Sequence, residues 1–335
     1  MAERGEGNRY RLIDVYRADG SRLRLLIHHP KCREHVKVIR RHLRVEDVTG
    51  EQLDDEILSD VDVLFAFQCP DEVLARLTSL KWIQSTGTGI DAFLGHCRKN
   101  PRIIVTAAKG FAAETAASVV LMATLAFHWN LLGRLRDQQK HHWEPHTNYT
   151  LEPLISTRTM GVVGLGQIGM TIAGHAKQLG MRVVGTKRQA TQIANVDAVY
   201  PPEELNRLLG ESDFVALAVP LVATTRLMFG AAQFNAMKRT AVLINVARGE
   251  VVDETALLSA LREGTIAGAA LDVFSVEPLP SDSPFWNAPN TLITPHIGGN
   301  RIDTYEASAT LLANNLKVYP DQCQMRGLCD ISLGY

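Results

Sequence analysis

Gly164-Leu165-Gly166-Gln167-Ile168-Gly169 lies halfway along the chain, after an apolar run at residues 160–163 and before a helix pattern at 170–179. In this strand–turn–helix setting, three glycines at this spacing are typical of a dinucleotide-binding turn. The first glycine permits the tight turn, the second lets a pyrophosphate approach the backbone, and the third lets the helix pack on the strand. The sequence therefore predicts a nucleotide cofactor whose pyrophosphate meets the amino end of the helix.

Strand and helix patterns alternate on both sides of this turn, and 335 residues are enough for two domains. Before the turn, we expect strands at residues 23–27, 61–67, 82–85 and 103–106, and helices at 32–42, 71–77 and 112–142. After it, we expect strands at 182–185, 214–218, 241–245, 267–272 and 291–294, and helices at 202–209, 230–236, 254–263 and 304–319. Residues 147–158 are expected to form a loop or hinge.

These patterns predict an α/β fold in which a Rossmann-type, doubly wound parallel sheet is inserted into a smaller flavodoxin-like α/β domain. The predicted dinucleotide-binding domain takes residues 107–298. The predicted substrate domain is discontinuous and takes residues 1–106 plus 299–335, so that the last helix completes it. We expect the active site in the cleft between the two domains, where ligand sites are often found.

The composition favours a cytoplasmic protein without nucleic-acid or membrane partners. The formal charge is −1, so no global field attracts a polyanion. The first 44 residues are rich in arginine, which we interpret as a solvated surface, with a polyanion-binding patch as the alternative. No signal peptide is recognised at residues 1–8, and the apolar run 116–127 is shorter than the roughly 20 residues of a membrane span.

Neither the cysteines nor the histidines predict a metal site. The five cysteines are scattered without CxxC spacing, which indicates reduced thiols rather than disulfides or a zinc site. In the cluster at residues 141–146, Pro145 separates His142 from His146 and interrupts the helical spacing of a shared metal site. We interpret this cluster as a surface loop, with metal binding as the alternative.

Three polar residues, Arg248, Glu277 and His296, follow predicted strands in the second half of the chain. Open α/β sheets bind ligands at the carboxyl ends of their strands. An arginine fork binds a carboxylate, histidine is the usual proton carrier near neutral pH, and a carboxylate beside it favours its protonated form. Together they predict reduction of a 2-oxo acid, with ordinary ion pairing as the alternative for each residue taken singly.

The chain resembles the D-2-hydroxyacid dehydrogenase family over nearly its whole length. The resemblance lies in the glycine turn and in Asn-Val-Ala-Arg-Gly-Glu-Val-Val-Asp (245–253), Ala-Leu-Asp-Val-Phe with Glu-Pro (270–278) and Thr-Pro-His-Ile-Gly-Gly (294–299). It implies that Arg248 binds and orients the substrate, that His296 is the acid/base, and that Glu277 pairs with His296. The D stereochemistry of the product is implied by the family alone.

The resemblance also implies the remaining binding residues. Gln-Ser-Thr-Gly-Thr-Gly-Ile-Asp at 84–91 looks like the family's substrate loop, in which N–H groups near Thr88 and Gly89 hold the carboxylate. The walls of the substrate pocket are expected around Phe67, Gln68 and Trp286. Beyond the glycine turn, the implied cofactor contacts are Val219, Pro220, Val246, Ala247, Asp272 and Gly298, with Asp272 on the nicotinamide side.

The long helix predicted over residues 112–142 is similar to the family's dimer-forming arm, which implies a homodimer. Near its start the chain departs from the family, because relatives carry an Ala-Glu pair where this chain has Ala116-Ala117-Ser118. Glu114 lies nearby at a different helical phase, so it is not taken as a substitute.

The strand after the glycine turn ends at Lys187 and Arg188, and no acidic residue lies between Gly169 and Asp197. Sites that prefer NAD place an Asp or Glu about 20 residues beyond the glycines, on the ribose 2′-OH. Cations attract a 2′-phosphate instead. We therefore expect NADP(H) to be preferred, with NAD(H) as the other usable cofactor; the alternative is that both cations face solvent.

The expected substrate is a small 2-oxo acid such as glyoxylate or hydroxypyruvate. The alternative function is a non-catalytic, dinucleotide-sensing scaffold, like the transcriptional corepressors that resemble this family, and the complete set of catalytic residues disfavours it. The formate dehydrogenase branch carries Gln at the position of Glu277, so this residue argues against that branch.

Overall fold

The computed structural model describes residues 10–48, 54–143, 153–189 and 191–335, and the chain separates into two compact units. Unit 1 combines Met1–Phe111 with Arg301–Tyr335, and unit 2 is Ala112–Asn300. Each division falls a few residues after the boundary predicted from the sequence. The second unit is thus inserted into the first along the chain.

Unit 1 contains a six-stranded sheet with helices on both faces. The strands are β1 (Tyr10–Tyr16), β2 (Arg22–His28), β3 (Arg44–Asp47), β4 (Val63–Ala66), β5 (Trp82–Ser85) and β6 (Ile104–Thr106). The helices are α1 (Cys32–Arg40), α2 (Asp55–Ser59), α3 (Asp71–Arg76), α4 (Leu94–Lys99) and, after unit 2, α11 (Thr304–Val318). Helices α1 and α11 bury their apolar residues on one face of the sheet, and α2, α3 and α4 on the other.

The strand order in unit 1 is β3-β1-β2-β4-β5-β6. Strands β2, β4, β5 and β6 are parallel, as predicted, whereas β1 is antiparallel to both of its neighbours. Without β1 the order is that of a flavodoxin-like sheet. Strands β1 and β3 were missing from the prediction because polar residues such as Asp14 and Glu46 interrupt their apolar pattern.

Unit 2 contains a seven-stranded parallel sheet in the order β13-β12-β11-β10-β7-β8-β9. Its strands are β7 (Thr159–Val163), β8 (Arg182–Thr186), β9 (Ala198–Tyr200), β10 (Phe214–Leu217), β11 (Val242–Asn245), β12 (Gly268–Leu271) and β13 (Thr291–Ile293). Its helices are α5 (Ala113–His128), α6 (Leu131–Gln139), α7 (Gln167–Gln178), α8 (Leu205–Glu211), α9 (Ala231–Ala236) and α10 (Glu254–Glu263). The strand order reverses between β7 and β10, which is where doubly wound sheets bind their ligands.

The prediction of one long helix over residues 112–142 was wrong, because this segment forms two helices, α5 and α6, bent by 64°. The break lies at Trp129 and Asn130, and Asn130 has φ of 49°, the left-handed region that asparagine tolerates better than most residues. Within the described ranges, no single helix is both long enough and apolar enough to cross a bilayer. Only the bent pair of α5 and α6, taken together, meets both criteria. Of the predicted hinge at 147–158, residues 147–152 lie outside the described part of the chain.

Several arginines near the start of the chain have acidic partners. Arg24 pairs with Asp14, and Arg40 pairs with Asp47. Arg41 contacts Glu306 at 2.8 Å. These ion pairs favour an ordinary charged surface over a polyanion-binding patch for the described part of this segment, which begins at residue 10.

Candidate active site

The glycine turn connects β7 to α7, and each glycine has a different environment. Gly164 has φ of 100°, and a Cβ there would lie 2.8 Å from the carbonyl oxygen of Ala218. A Cβ on Gly169 would lie 2.0 Å from the carbonyl oxygen of Gly164. Around Gly166, apart from its own chain neighbours, no atom of the described residues lies within 4 Å of the corresponding position. The first and third glycines are therefore required by packing, and the second leaves open space beside the amino end of α7.

This open space suits a pyrophosphate. Helix α7 begins at Gln167 without a side-chain cap, so the first N–H groups of the helix, at Gln167, Ile168 and Gly169, lack intrahelical acceptors. The Gly164 N–H donates to the Thr186 hydroxyl at 3.0 Å and fixes the turn against the end of β8. The residues present thus fit a dinucleotide.

The end of β8 carries cationic side chains, Lys187 and Arg188, without an acidic neighbour in sequence. The first acid after the turn, Asp197, accepts a hydrogen bond from the Val183 N–H at 2.7 Å, near the beginning of β8. This bond, reinforced by Lys177, lowers the pKa of Asp197. Asp197 therefore lies at the opposite end of β8 from Lys187.

The other predicted cofactor residues of unit 2 follow neighbouring strands. Val219 and Pro220 come after β10, and Val219 lies beside the glycine turn, since its Cγ1 is 2.8 Å from a Cβ built on Gly164. Val246 and Ala247 come after β11 and are buried. The carboxyl ends of β7, β10 and β11 thus bring together residues that are far apart in sequence.

Asn245 shapes the turn that carries Arg248. The buried Asn245 side chain accepts from the Ala247 N–H and donates to the Arg248 carbonyl, both at 3.0 Å. A Cβ on Gly249 would lie 2.0 Å from the carbonyl carbon of Phe274, so only glycine lets this turn approach the segment before Glu277. Sequence reasoning missed the role of Asn245, although its place at the end of β11 was a usable signal.

His296 and Glu277 form the pair that the family resemblance implied. The Nδ1 atom of His296 lies 2.7 Å from Oε2 of Glu277, and Oε1 accepts the Phe274 N–H at 2.9 Å. Burial opposes ionisation of Glu277, but the hydrogen bonds from His296 and Phe274, with the charge of Arg248, outweigh it and lower the pKa of Glu277. Both side chains remain about one third exposed, so a substrate can reach them.

Asp272 holds the loop on which His296 lies, residues 294–300, which follows β13 and is called the His296 loop below. Its buried carboxylate accepts hydrogen bonds from the Thr294 hydroxyl, the Ile297 N–H and the Gly298 N–H, at 2.6–2.9 Å. Its carbonyl oxygen accepts the His296 N–H at 2.8 Å, and His296 itself has φ of 52°, an uncommon conformation for a residue other than glycine. The carboxylate is thus engaged with the loop, and contact of Asp272 with the nicotinamide stays a prediction.

In unit 1, the predicted substrate loop follows β5. The Ser85 hydroxyl donates to the Gly89 carbonyl at 2.9 Å, and the Thr88 hydroxyl donates to the Ala108 carbonyl at 3.3 Å. A Cβ on Gly87 would lie 2.8 Å from the ring of Phe67, so that ring packs against the loop. Among the residues that the structure describes, the N–H groups of Thr88 and Gly89 have no hydrogen-bond acceptor, which leaves them for an anion.

Trp286, a predicted wall of the substrate pocket, is half exposed and donates from Nε1 to the Pro280 carbonyl at 2.8 Å.

At the departure from the family near the start of α5, the Ser118 hydroxyl donates to the Glu114 carbonyl within the helix, and the Glu114 side chain contacts His175 at 3.3 Å. No group of three metal-ligating side chains occurs within the described ranges, and His146 lies outside them.

Comparison with known proteins identifies the family. A family model described as the NAD binding domain of D-isomer specific 2-hydroxyacid dehydrogenases matches residues 121–298, which include the glycine turn and all three catalytic candidates. The chain belongs to the D-isomer specific 2-hydroxyacid dehydrogenase family. The predicted α/β fold class is confirmed, and the scaffold alternative is not favoured.

Several relatives within this family are glyoxylate reductases. The protein of Thermococcus gammatolerans is 33% identical over 303 residues, which cover 84% of this chain and 88% of the relative. D-3-phosphoglycerate dehydrogenase of Methanocaldococcus jannaschii is 31% identical over 301 residues, or 88% of this chain. The chain spans 57% of that enzyme and 65% of a glyoxylate reductase from Korarchaeum cryptofilum, so it covers less than two thirds of both.

Solved structures of the family have the same fold. An NADPH-dependent glyoxylate/hydroxypyruvate reductase from Sinorhizobium meliloti, in complex with NADP and sulfate, has a TM-score of 0.80 at 25% identity and covers 91% of this chain and 96% of its own. A D-isomer specific 2-hydroxyacid dehydrogenase from Xanthobacter autotrophicus, in complex with NADPH and MES, has a TM-score of 0.77 at 29% identity, with coverages of 90% and 96%.

Proposed function

We propose that this chain is an NADPH-preferring reductase that converts a small 2-oxo acid, such as glyoxylate or hydroxypyruvate, into the 2-hydroxy acid, with D configuration where the product is chiral. The observation that carries the proposal is the 2.7 Å contact between His296 and Glu277, beside the turn of Arg248. Family membership and the names of the glyoxylate reductases that resemble this chain support it.

The proposed reaction needs a proton at the oxygen of the substrate's 2-oxo group. A reduced dinucleotide, when bound, would supply the hydride that the 2-oxo carbon needs. Nδ1 of His296 faces Glu277, and we propose that the other ring nitrogen, Nε2, carries the proton that His296 donates to the forming alkoxide. Glu277 orients the ring through the hydrogen bond at Nδ1.

The substrate carboxylate also needs donors. The Arg248 guanidinium donates from Nη1 to the Ala247 carbonyl at 2.7 Å and has five N–H donors in all, so we propose that it also binds the carboxylate and neutralises its charge. In unit 1, we propose that the N–H groups of Thr88 and Gly89 serve as further carboxylate donors, since the described residues offer them no acceptor. Phe67, Gln68 and Trp286 remain our candidates for the pocket walls that select the substrate's side chain.

The test is a panel of 2-oxo acids, assayed with NADPH and with NADH by the loss of absorbance of the reduced cofactor. We expect turnover of small 2-oxo acids, a higher kcat/KM with NADPH, and only the D isomer on chiral chromatography of the glycerate formed from hydroxypyruvate, since the glycolate formed from glyoxylate is achiral. An L product, or no turnover of any 2-oxo acid, contradicts the proposal.

The cofactor preference is expected to depend on Arg188. Substitution Arg188→Asp should lower kcat/KM for NADPH about tenfold or more, because a charge-assisted hydrogen bond to the 2′-phosphate is lost and a repulsive charge is gained. The activity with NADH should change much less. Arg262→Asp makes the same charge change on the exposed end of α10 and serves as control; an unchanged preference in Arg188→Asp would remove this residue from the 2′-phosphate site.

Replacing Glu277 with glutamine should lower kcat for 2-oxo acid reduction by about tenfold or more, because the amide no longer holds the His296 ring through a charge-assisted hydrogen bond. The amide preserves the size of the side chain. The measurement is kcat for the wild type, Glu277→Gln and the control Glu263→Gln, whose side chain is exposed on α10. A kcat that stays within about twofold of the wild type argues against this pairing.

We also propose a cytoplasmic homodimer that uses α6, without nucleic-acid or membrane partners. Helix α6 has no buried residue in the described chain, and Trp129, Leu131 and Leu135 expose between 45% and 63% of their surface there. Exposed apolar side chains gathered on α6 and at the break before it mark an interaction surface. Sedimentation equilibrium distinguishes a dimer from a monomer.

A further inference from the structure

Unit 2 begins just before α5 and ends just after the His296 loop. A hydrogen bond inside unit 2 joins the first turn of α5 to the end of this loop. The Thr115 hydroxyl donates to the Gly298 carbonyl at 2.7 Å. The same hydroxyl lies 3.2 Å from the Ala112 carbonyl in its own helix. Since a hydroxyl has one proton, the shorter contact to the loop is the stronger one.

Gly298 is also closely packed against α5. A Cβ built on Gly298 would lie 3.5 Å from Cα of Ala116 and 2.9 Å from Oδ2 of Asp272. The Gly298 N–H donates to the same carboxylate oxygen at 2.8 Å. Gly298 is therefore held on its N–H by Asp272 and on its carbonyl by Thr115.

We propose that Thr115 is a positioning residue for His296. Only Ile297 separates Gly298 from His296, whose backbone has the uncommon φ of 52°. A conformation of this kind persists only where its surroundings hold it. Thr115 fixes the carbonyl end of the loop and so maintains the 2.7 Å contact of His296 with Glu277. This inference rests on the proposed role of His296 as the acid.

The simpler interpretation is that Thr115 only stabilises the start of α5 through Ala112. Ser118 allows the two interpretations to be separated, because its hydroxyl also bonds a backbone carbonyl of α5, that of Glu114 at 2.7 Å, and has no bond to the His296 loop. If the Thr115 hydroxyl stabilises only the helix, its removal should have the same small effect on kcat as removal of the Ser118 hydroxyl.

The experiment compares Thr115→Val, Thr115→Ser and Ser118→Ala with the wild type. We expect Thr115→Val to lower kcat about tenfold, since small displacements of a catalytic group are costly, with KM for NADPH within about twofold. Thr115→Ser restores the hydroxyl and should retain kcat within about twofold, as should Ser118→Ala. Thermal melting of each variant checks the fold.

A second measurement does not depend on turnover. The proton between His296 and Glu277 should give a downfield imidazole resonance in the proton NMR spectrum, assigned by its loss in His296→Ala. We expect Thr115→Val to shift or broaden it, and Ser118→Ala to leave it unchanged. An unchanged resonance with kcat within twofold in folded Thr115→Val overturns the proposal. If the wild type reduces no 2-oxo acid, the proposed function fails, and the resonance alone decides the role of Thr115.

Discussion

His296→Ala is expected to lower kcat for 2-oxo acid reduction by about 10²–10⁴-fold, because the forming alkoxide loses its proton donor. NADPH should still bind with little change, since the glycine turn and the end of β8 are separate from the His296 side chain. The measurement pairs steady-state kinetics with titration of NADPH fluorescence.

The control for this prediction is His42→Ala, which removes an exposed histidine of unit 1. It should retain full activity. If His296→Ala keeps its activity within a few-fold, another group donates the proton. If it loses NADPH binding as well, the loss of activity cannot be assigned to proton transfer.

The second large effect is expected at His35, which is fully buried in unit 1 among aromatic rings. Its ring centroid lies 4.7 Å from that of His29, 5.0 Å from Phe65 and 5.6 Å from Tyr305. Neither ring nitrogen has a hydrogen-bond partner of standard geometry within the described residues. Burial and the neighbouring His29 lower the pKa of His35 to about 3, although the Lys31 carbonyl opposes the shift.

This environment predicts that stability falls in mild acid. The unfolded chain takes up a proton at His35 near pH 6.5, whereas the folded chain resists it until about pH 3. The stability that comes from a neutral His35 is therefore complete above pH 6.5 and is lost as the pH falls toward 3. At pH 5 the loss amounts to about 2 kcal/mol in the free energy of unfolding.

His35→Phe should remove this loss, because phenylalanine keeps the aromatic contacts and takes up no proton. The measurement is the urea midpoint at pH 7 and pH 5, followed by tryptophan fluorescence, to which Trp82, buried in the same unit, contributes. His29 remains in both proteins, so their difference reports on His35. His42→Gln should behave as the wild type; equal losses in His35→Phe and the wild type would contradict the prediction.

Most of the fold could be predicted from local sequence patterns. The glycine turn predicted β7 and α7, since glycines at this spacing after an apolar strand suit few other structures. The short apolar strands of unit 2 were recognisable because a parallel sheet is buried on both faces and selects continuous apolar runs. Arg248, Glu277 and His296 could be nominated from their places after three of these strands.

Long-range contacts could not be predicted from such patterns. Strand β1 pairs antiparallel with β2 and β3 through backbone hydrogen bonds, which have no signature in the side chains. The break between α5 and α6 depends on the left-handed conformation of Asn130, which asparagine tolerates without requiring it.

The sequence by itself determined the cofactor turn, the fold class and the chemistry of the candidate catalytic residues, because these depend on residue type and short spacing. Only the tertiary structure revealed what holds those residues in place. Asp272 bonds the His296 loop with both carboxylate oxygens, and Thr115 bonds Gly298 across 183 positions of sequence. Such contacts form only when distant segments pack together, so no local pattern of side chains predicts them.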